Sequence, residues 1–166
     1  VQNFLSAATG IAVVIAFSRA VAKAELKTAG NFFTDIVRSI VYVLIPLSVI
    51  MSLLLVSQGT VQTIAPYAEI KPLEGGIQTI PLGPVASQIA IKQLGTNGGG
   101  FFGANGCHPF ENPTPLSNFL EVLAIFLIPA ALVFTYGQIV NNSKHAVSLF
   151  GAMLILFLAG LGISLW

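Results

Sequence analysis

The chain has 166 residues, of which 55% are hydrophobic and 8% charged, with a net charge of +1. Soluble domains carry roughly 25% charged residues, so this composition belongs to the membrane class, and a charge so near zero gives no argument for nucleic acid or an acidic partner. One cysteine, Cys107, excludes an internal disulfide and a multi-cysteine zinc site.

The N-terminus opens on Val1 and runs straight into apolar sequence, with no basic n-region and no small-residue cleavage pattern, so no signal peptide is read. The other end, Trp166, also lies in an apolar run, and the chain reads as a piece of a longer membrane protein. A spanning helix needs roughly 20 mostly apolar residues. Residues 1–22 are the first such span, and residues 23–38 form a loop rich in basic residues. Residues 39–57 are the second span, with Pro46 inside it. Membrane helices tolerate proline where neighbours satisfy the freed carbonyl. No charged residue occurs from Ser39 to Ala68, or from Ala146 to the end. Soluble helices of that length need a wet face, which argues against a soluble bundle.

Residues 58–83 are a Gly-, Pro- and Thr-rich loop with short β-like runs. Residues 84–94 follow as a short apolar helix, with Pro84 as its start and Gly95 as its stop. It is too short to cross a bilayer, but can dip in and return where protein buries its backbone. The Gly-rich segment 95–102 comes next, then a loop over 103–114. A third span covers 115–138, with Thr114 as its cap, Pro115 in its first turn and Pro129 inside it. Residues 139–145 are a short loop, and 146–166 a fourth span. Arg19, Lys23, Lys27, Arg38 and Lys144 fall on one side, assigned to the cytoplasm, while Lys71 and Lys92 fall on the other.

The order span, short helix, glycine-rich segment, span is that of a cation-channel pore unit. The helix aims the partly negative end of its dipole at the glycines. Backbone carbonyls there can replace an ion's water. Glycine freely adopts the angles that aim such carbonyls, which accounts for Gly98, Gly99 and Gly100 after Thr96-Asn97. A phosphate loop is disfavoured, because the Gly-Lys-Ser/Thr ending is missing. A plain turn at the membrane surface is the bland alternative.

The stretch "PVASQIAIKQLGTNGGGFFGANGCHPFENPTPLSNF" resembles the A subunit of the bacterial potassium-transporting ATPase, the Kdp complex. "VQNFLSAATGIAV" and "LAIFLIP" are similar to the same family, and the resemblance runs over the whole chain. It implies an all-α integral membrane fold of the superfamily of K⁺ transporters. One full repeat of helix, re-entrant pore helix, filter loop and helix would be present here, with a flanking helix on each side. It further implies a multi-pass protein of a bacterial or archaeal plasma membrane. Such a subunit selects K⁺ at an extracytoplasmic filter and delivers it to a P-type ATPase catalytic subunit, in company with small accessory membrane subunits. ATP-hydrolysing residues would lie on that partner and not on this chain. By the same resemblance, Thr96, Asn97 and Gly98 match the second repeat's filter, continued by Gly99 and Gly100. The pattern departs from the family at Gly103 and at Gly106-Cys107.

Individual residues carry further expectations. Thr96 offers its carbonyl and hydroxyl to an ion, or caps the short helix. Asn97 tolerates unusual backbone angles and is expected to anchor the filter from behind. Lys92 would repel a cation, so it is expected to point away, toward an acidic partner or the outer water. Glu121, two turns into the third span, is an ionisable group in a membrane and so a functional candidate, drawing cations to the mouth or pairing with a loop donor. Cys107, His108 and Glu111 make a weak metal set, and hydrogen bonds to the filter loop suit them better. Asn141-Asn142-Ser143 matches a glycosylation sequon that carries no meaning in a bacterial cytoplasmic loop. Two other functions compete with this reading. One is a passive or ion-coupled K⁺ channel or symporter subunit of the same superfamily. The other is a membrane enzyme, which lacks a convergent pair because His108 and His145 fall on opposite sides.

Overall fold

The computed structural model describes residues 1–22, 30–103 and 105–166. The expected loop residues Lys23 and Lys27 lie outside them. Helix α1 covers Gln2–Ala22. Helix α2, Phe32–Arg38, continues through a π-helical segment, Ser39–Leu44, into α3, Ile45–Ser57. Together they form one helix of 26 residues, Phe32–Ser57, which begins earlier than the expected Ser39. The early start has a local cause: Asn31 caps α2 by accepting the Thr34 N–H. The wide turns end beside Pro46, which has no N–H to give. The Ile45 N–H bonds five residues back, to the Ile40 carbonyl, and wider turns of this kind relieve the crowding that a proline ring causes in an α-helix.

A two-stranded antiparallel hairpin follows, β1 (Ala68–Ile70) against β2 (Gln78–Ile80), in the register Ala68 to Ile80. It is a small addition to an otherwise helical chain. Then come α4 (Val85–Leu94), α5 (Pro115–Ile139) and α6 (Ser143–Leu165). Thr114 caps α5 reciprocally with Ser117, and its hydroxyl donates to Gln58 Oε1 beyond the end of α3. Asn142, the middle residue of the sequon match, caps α6 by accepting the His145 N–H. Gly137 lets α6 lie against α5, since a Cβ there would collide with Ala146.

Four helices are long and apolar enough to cross a membrane: Gln2–Ala22, Phe32–Ser57, Pro115–Ile139 and Ser143–Leu165. Their outward faces expose Phe17, Tyr42, Leu53, Phe119 and Ile155, which lipid accepts and water does not. The short helix α4 lies inside. Val85, Ala86, Ile89, Ala90 and Leu94 of α4 pack with Ala8 and Ile11 of α1, Met51 and Leu55 of α3, and Ala124 and Ile128 of α5. Ten helical residues rise about 15 Å, half the depth of a hydrocarbon core. Thus α4 ends between three long helices, and whatever follows Leu94 is held there.

Candidate functional site

The segment Thr96–Gly100 hangs from the C-terminus of α4. The Asn97 N–H bonds to the Lys92 carbonyl and the Thr96 N–H to the Gln93 carbonyl. This is a Schellman ending, in which the first residue past the cap is left-handed. That residue is Thr96, at φ +53°. Gly95, the expected stop glycine, keeps right-handed angles. It is small for another reason, because a Cβ there would strike Asn97 Oδ1 and approach the Asn3 carbonyl to 3.1 Å. A β-branched residue in the left-handed region costs roughly 1–2 kcal/mol and signals a constraint imposed by its surroundings. Its hydroxyl donates to the Gly95 carbonyl, so Thr96 does cap the helix.

The tolerance of Asn97 for unusual backbone angles is not drawn on as a left-handed φ. Among the described residues the left-handed non-glycine positions are Thr96, Asn105 and Asn141. The helix ending demands its left-handed residue one place earlier than Asn97. The carboxamide Oδ1 of Asn97 is buried without a hydrogen-bond partner among the described residues.

The three glycines answer to different constraints. Gly98 and Gly99 have φ of +73° and +80°, and a Cβ would meet only an ordinary contact with Asn105 Oδ1 at Gly98 and open space at Gly99, so conformation alone calls for glycine there. Gly100 lacks that angle. A Cβ on it would fall 2.7 and 2.8 Å from the two carboxylate oxygens of Glu111. Glu111 is fully buried, and its Oε1 accepts the Phe102 N–H at 2.8 Å. Its carbonyl accepts the Thr60 hydroxyl, which ties the segment to the end of α3. The Gly99 N–H donates to Asn105 Oδ1. Two side-chain oxygens therefore hold the backbone amides of the segment, both from the loop that folds back behind it. His108 stacks on Phe102, with ring centroids 4.2 Å apart. Cys107 is exposed, and Glu111 serves the loop.

Lys92 is buried, 2% exposed, and so is not the solvated lysine that the sequence left open. Of the surroundings expected for it, an acidic neighbour is the one present. Its Nζ lies 3.1 Å, and Glu121 Oε2 3.2 Å, from the place where a Cβ on Gly106 would sit. Glu121 is 3% exposed, and Gln93 Nε2 of α4, not a loop group, donates to it. Lys92, Gln93 and Glu121 share a cavity of about 450 Å³ with Thr96 and Gly98. Thr96 also lines a second cavity of about 180 Å³, together with Ser6 and Gly10 of α1 and Pro129 of α5. Asn105 and Gln93 were not singled out from sequence. A signal for Asn105 existed, an asparagine among glycines in a turn-forming run. Gln93 had only its polarity in an apolar helix.

The family model described as "Potassium-transporting ATPase A subunit" matches residues 1–166 of the chain. A protein of Pseudomonas aeruginosa named potassium-transporting ATPase potassium-binding subunit is 55% identical over 166 residues, covering 100% of this chain and 29% of its own length. A protein of the same name from Nitratidesulfovibrio vulgaris is 56% identical over 159 residues, 96% of this chain and 28% of that protein. One from Erwinia tasmaniensis is 55% identical over 166 residues, 100% of this chain and 30% of that protein. The chain thus spans under a third of the length of these relatives.

Proposed function

The chain belongs to the potassium-transporting ATPase A subunit family, and on that premise we propose that it supplies one of the pore units that select K⁺ for an ATP-driven uptake pump. The observation that carries the reading is the held geometry of Thr96–Gly100. A buried helix presents its C-terminus there, and Asn105 and Glu111 hold the amides of Gly99 and Phe102. With those amides held, the carbonyls of Thr96, Asn97, Gly98 and Gly99 are free to act on a dehydrated cation as weak dipoles. The K⁺ is cargo. The helix dipole favours a positive charge at this end of α4, and the left-handed Thr96 sets where the row of carbonyls begins.

In this reading the segment faces the extracytoplasmic side. The rings of Phe17 and Tyr136 lie 6.5 Å apart and the Tyr136 ring also packs on His145 of α6, which supports Arg19 and Lys144 lying at one end. A cluster of positive charge at one end favours the cytoplasm for that end. The ion would pass to a P-type ATPase catalytic subunit, with small accessory membrane subunits completing the complex in a bacterial plasma membrane. One pore unit makes part of a ring, so the filter closes only with the remainder of the full-length chain.

The test uses the full-length parent co-expressed with its ATPase partners. Gly98→Asp is expected to move the K⁺ concentration for half-maximal ATP hydrolysis far upward, or to let Na⁺ stimulate. A well-assembled variant with the wild-type K⁺ dependence would show that the glycines form only a turn.

A further inference from the structure

We propose that Lys92 is a specificity-determining residue: its buried ammonium neutralises carboxylates packed behind the filter, so that the ion meets a field weak enough to favour K⁺ over Na⁺. The inference rests on the filter reading above and adds a role for a charge that reading leaves unused.

Two carboxylates stand close behind Thr96–Gly100. Glu111 lies against Gly100, and Glu121 reaches the cavity that Thr96 and Gly98 line. Both are buried, at 0% and 3% exposure. Each also keeps one oxygen, Glu111 Oε2 and Glu121 Oε1, without a hydrogen-bond partner among the described residues. Uncompensated, they would lay net negative charge beside the carbonyl dipoles. A stronger anionic field holds the smaller ion better, because the gain from close approach outgrows the cost of stripping its water. Selection of K⁺ by carbonyls depends on the strength of that field.

Among the buried polar and charged residues described, Lys92 is the one cation. It comes near Glu121 beside Gly106, next to the Asn105 that holds the Gly99 amide. Its Nζ has no hydrogen-bond partner among the described residues. The ammonium thus acts through its charge, and the carboxylate it faces across the cavity is Glu121. Leaving a lysine in such a place is costly unless a partner charge is near. It is also a poor choice beside a cation unless it offsets something worse.

The experiment uses the full-length complex, with Na⁺ and K⁺ titrated separately as activators of ATP hydrolysis. Lys92→Met is expected to lower the preference for K⁺ over Na⁺ at least tenfold. Lys92→Met combined with Glu121→Gln is expected to recover at least half of that loss on a logarithmic scale. A residue that merely supports the fold would not be rescued by removing its neighbour. Undiminished preference in assembled Lys92→Met, or no recovery in the double variant, overturns the proposal. Should Lys92→Met fail to assemble, Glu121→Gln alone decides the matter. It should raise the half-activating K⁺ severalfold without admitting Na⁺, and any other response refutes the idea. Gly98→Asp runs in parallel. If it too leaves the K⁺ dependence unmoved, the filter reading has failed. If it shifts and the Lys92 variants do not, only the present inference falls.

Discussion

Replacing Gly100 by alanine isolates one contact of the filter loop. The added methyl would sit 2.7 Å from Glu111 Oε2 and 2.8 Å from Oε1, so the carboxylate must retreat by at least ~0.7 Å to reach an ordinary 3.4 Å contact. Glu111 is fully buried, on a loop pinned by Thr60, and has little room to move. Retreat breaks its 2.8 Å bond to the Phe102 N–H. A hydrogen bond to a charged group is worth about 1.5–3 kcal/mol. If that energy is what keeps the segment in its ion-binding form, K⁺ binding weakens by the same amount, or ~10- to 150-fold. The assay is the K⁺ dependence of ATP hydrolysis by the full-length complex, with assembly checked by co-purification of the ATPase subunit. Glu111→Gln should be milder, because it keeps an oxygen for the Phe102 amide. Assembled Gly100→Ala with half-activation within threefold of wild type would refute the reasoning. So would Glu111→Gln proving the worse of the two, since charge and not fit would then govern.

Two further outcomes follow from single contacts. Asn105→Gly keeps the left-handed turn without strain but removes the acceptor of the Gly99 N–H; a net loss of about 1 kcal/mol predicts roughly a fivefold rise in half-activating K⁺, with Asn105→Asp much closer to wild type. Thr114→Ala removes the cap of α5 and the bond to Gln58; the cost is about 0.5–2 kcal/mol of stability, read as a lower Tm in detergent, with Thr114→Ser near wild type and the K⁺ dependence unmoved.

Hydropathy is a property of a window of residues, and so is the stopping power of Pro, Gly and a capping threonine. From these alone the membrane class, four long apolar helices and a short one before the glycines were legible, as was Thr114 at the head of α5. The positive φ of Gly98 and Gly99 also belongs to what a glycine run announces. Hydropathy places the start of the second helix late because the Asn31 cap precedes charged residues that break the signal. Other features depended on groups far apart in sequence meeting in space. Gln93 and Glu121 are 28 positions apart, yet one donates to the other. Glu111 fits under Gly100 only because the loop folds back onto the segment it follows. The left-handed residue is Thr96 and not Asn97 because the helix ending, not side-chain preference, chooses the position. Lys92 could be read as solvated or as paired, since a lysine's own sequence neighbours do not say which way its long side chain leaves the helix. Only the packing of α4 among three long helices decides that its charge is buried behind the glycines.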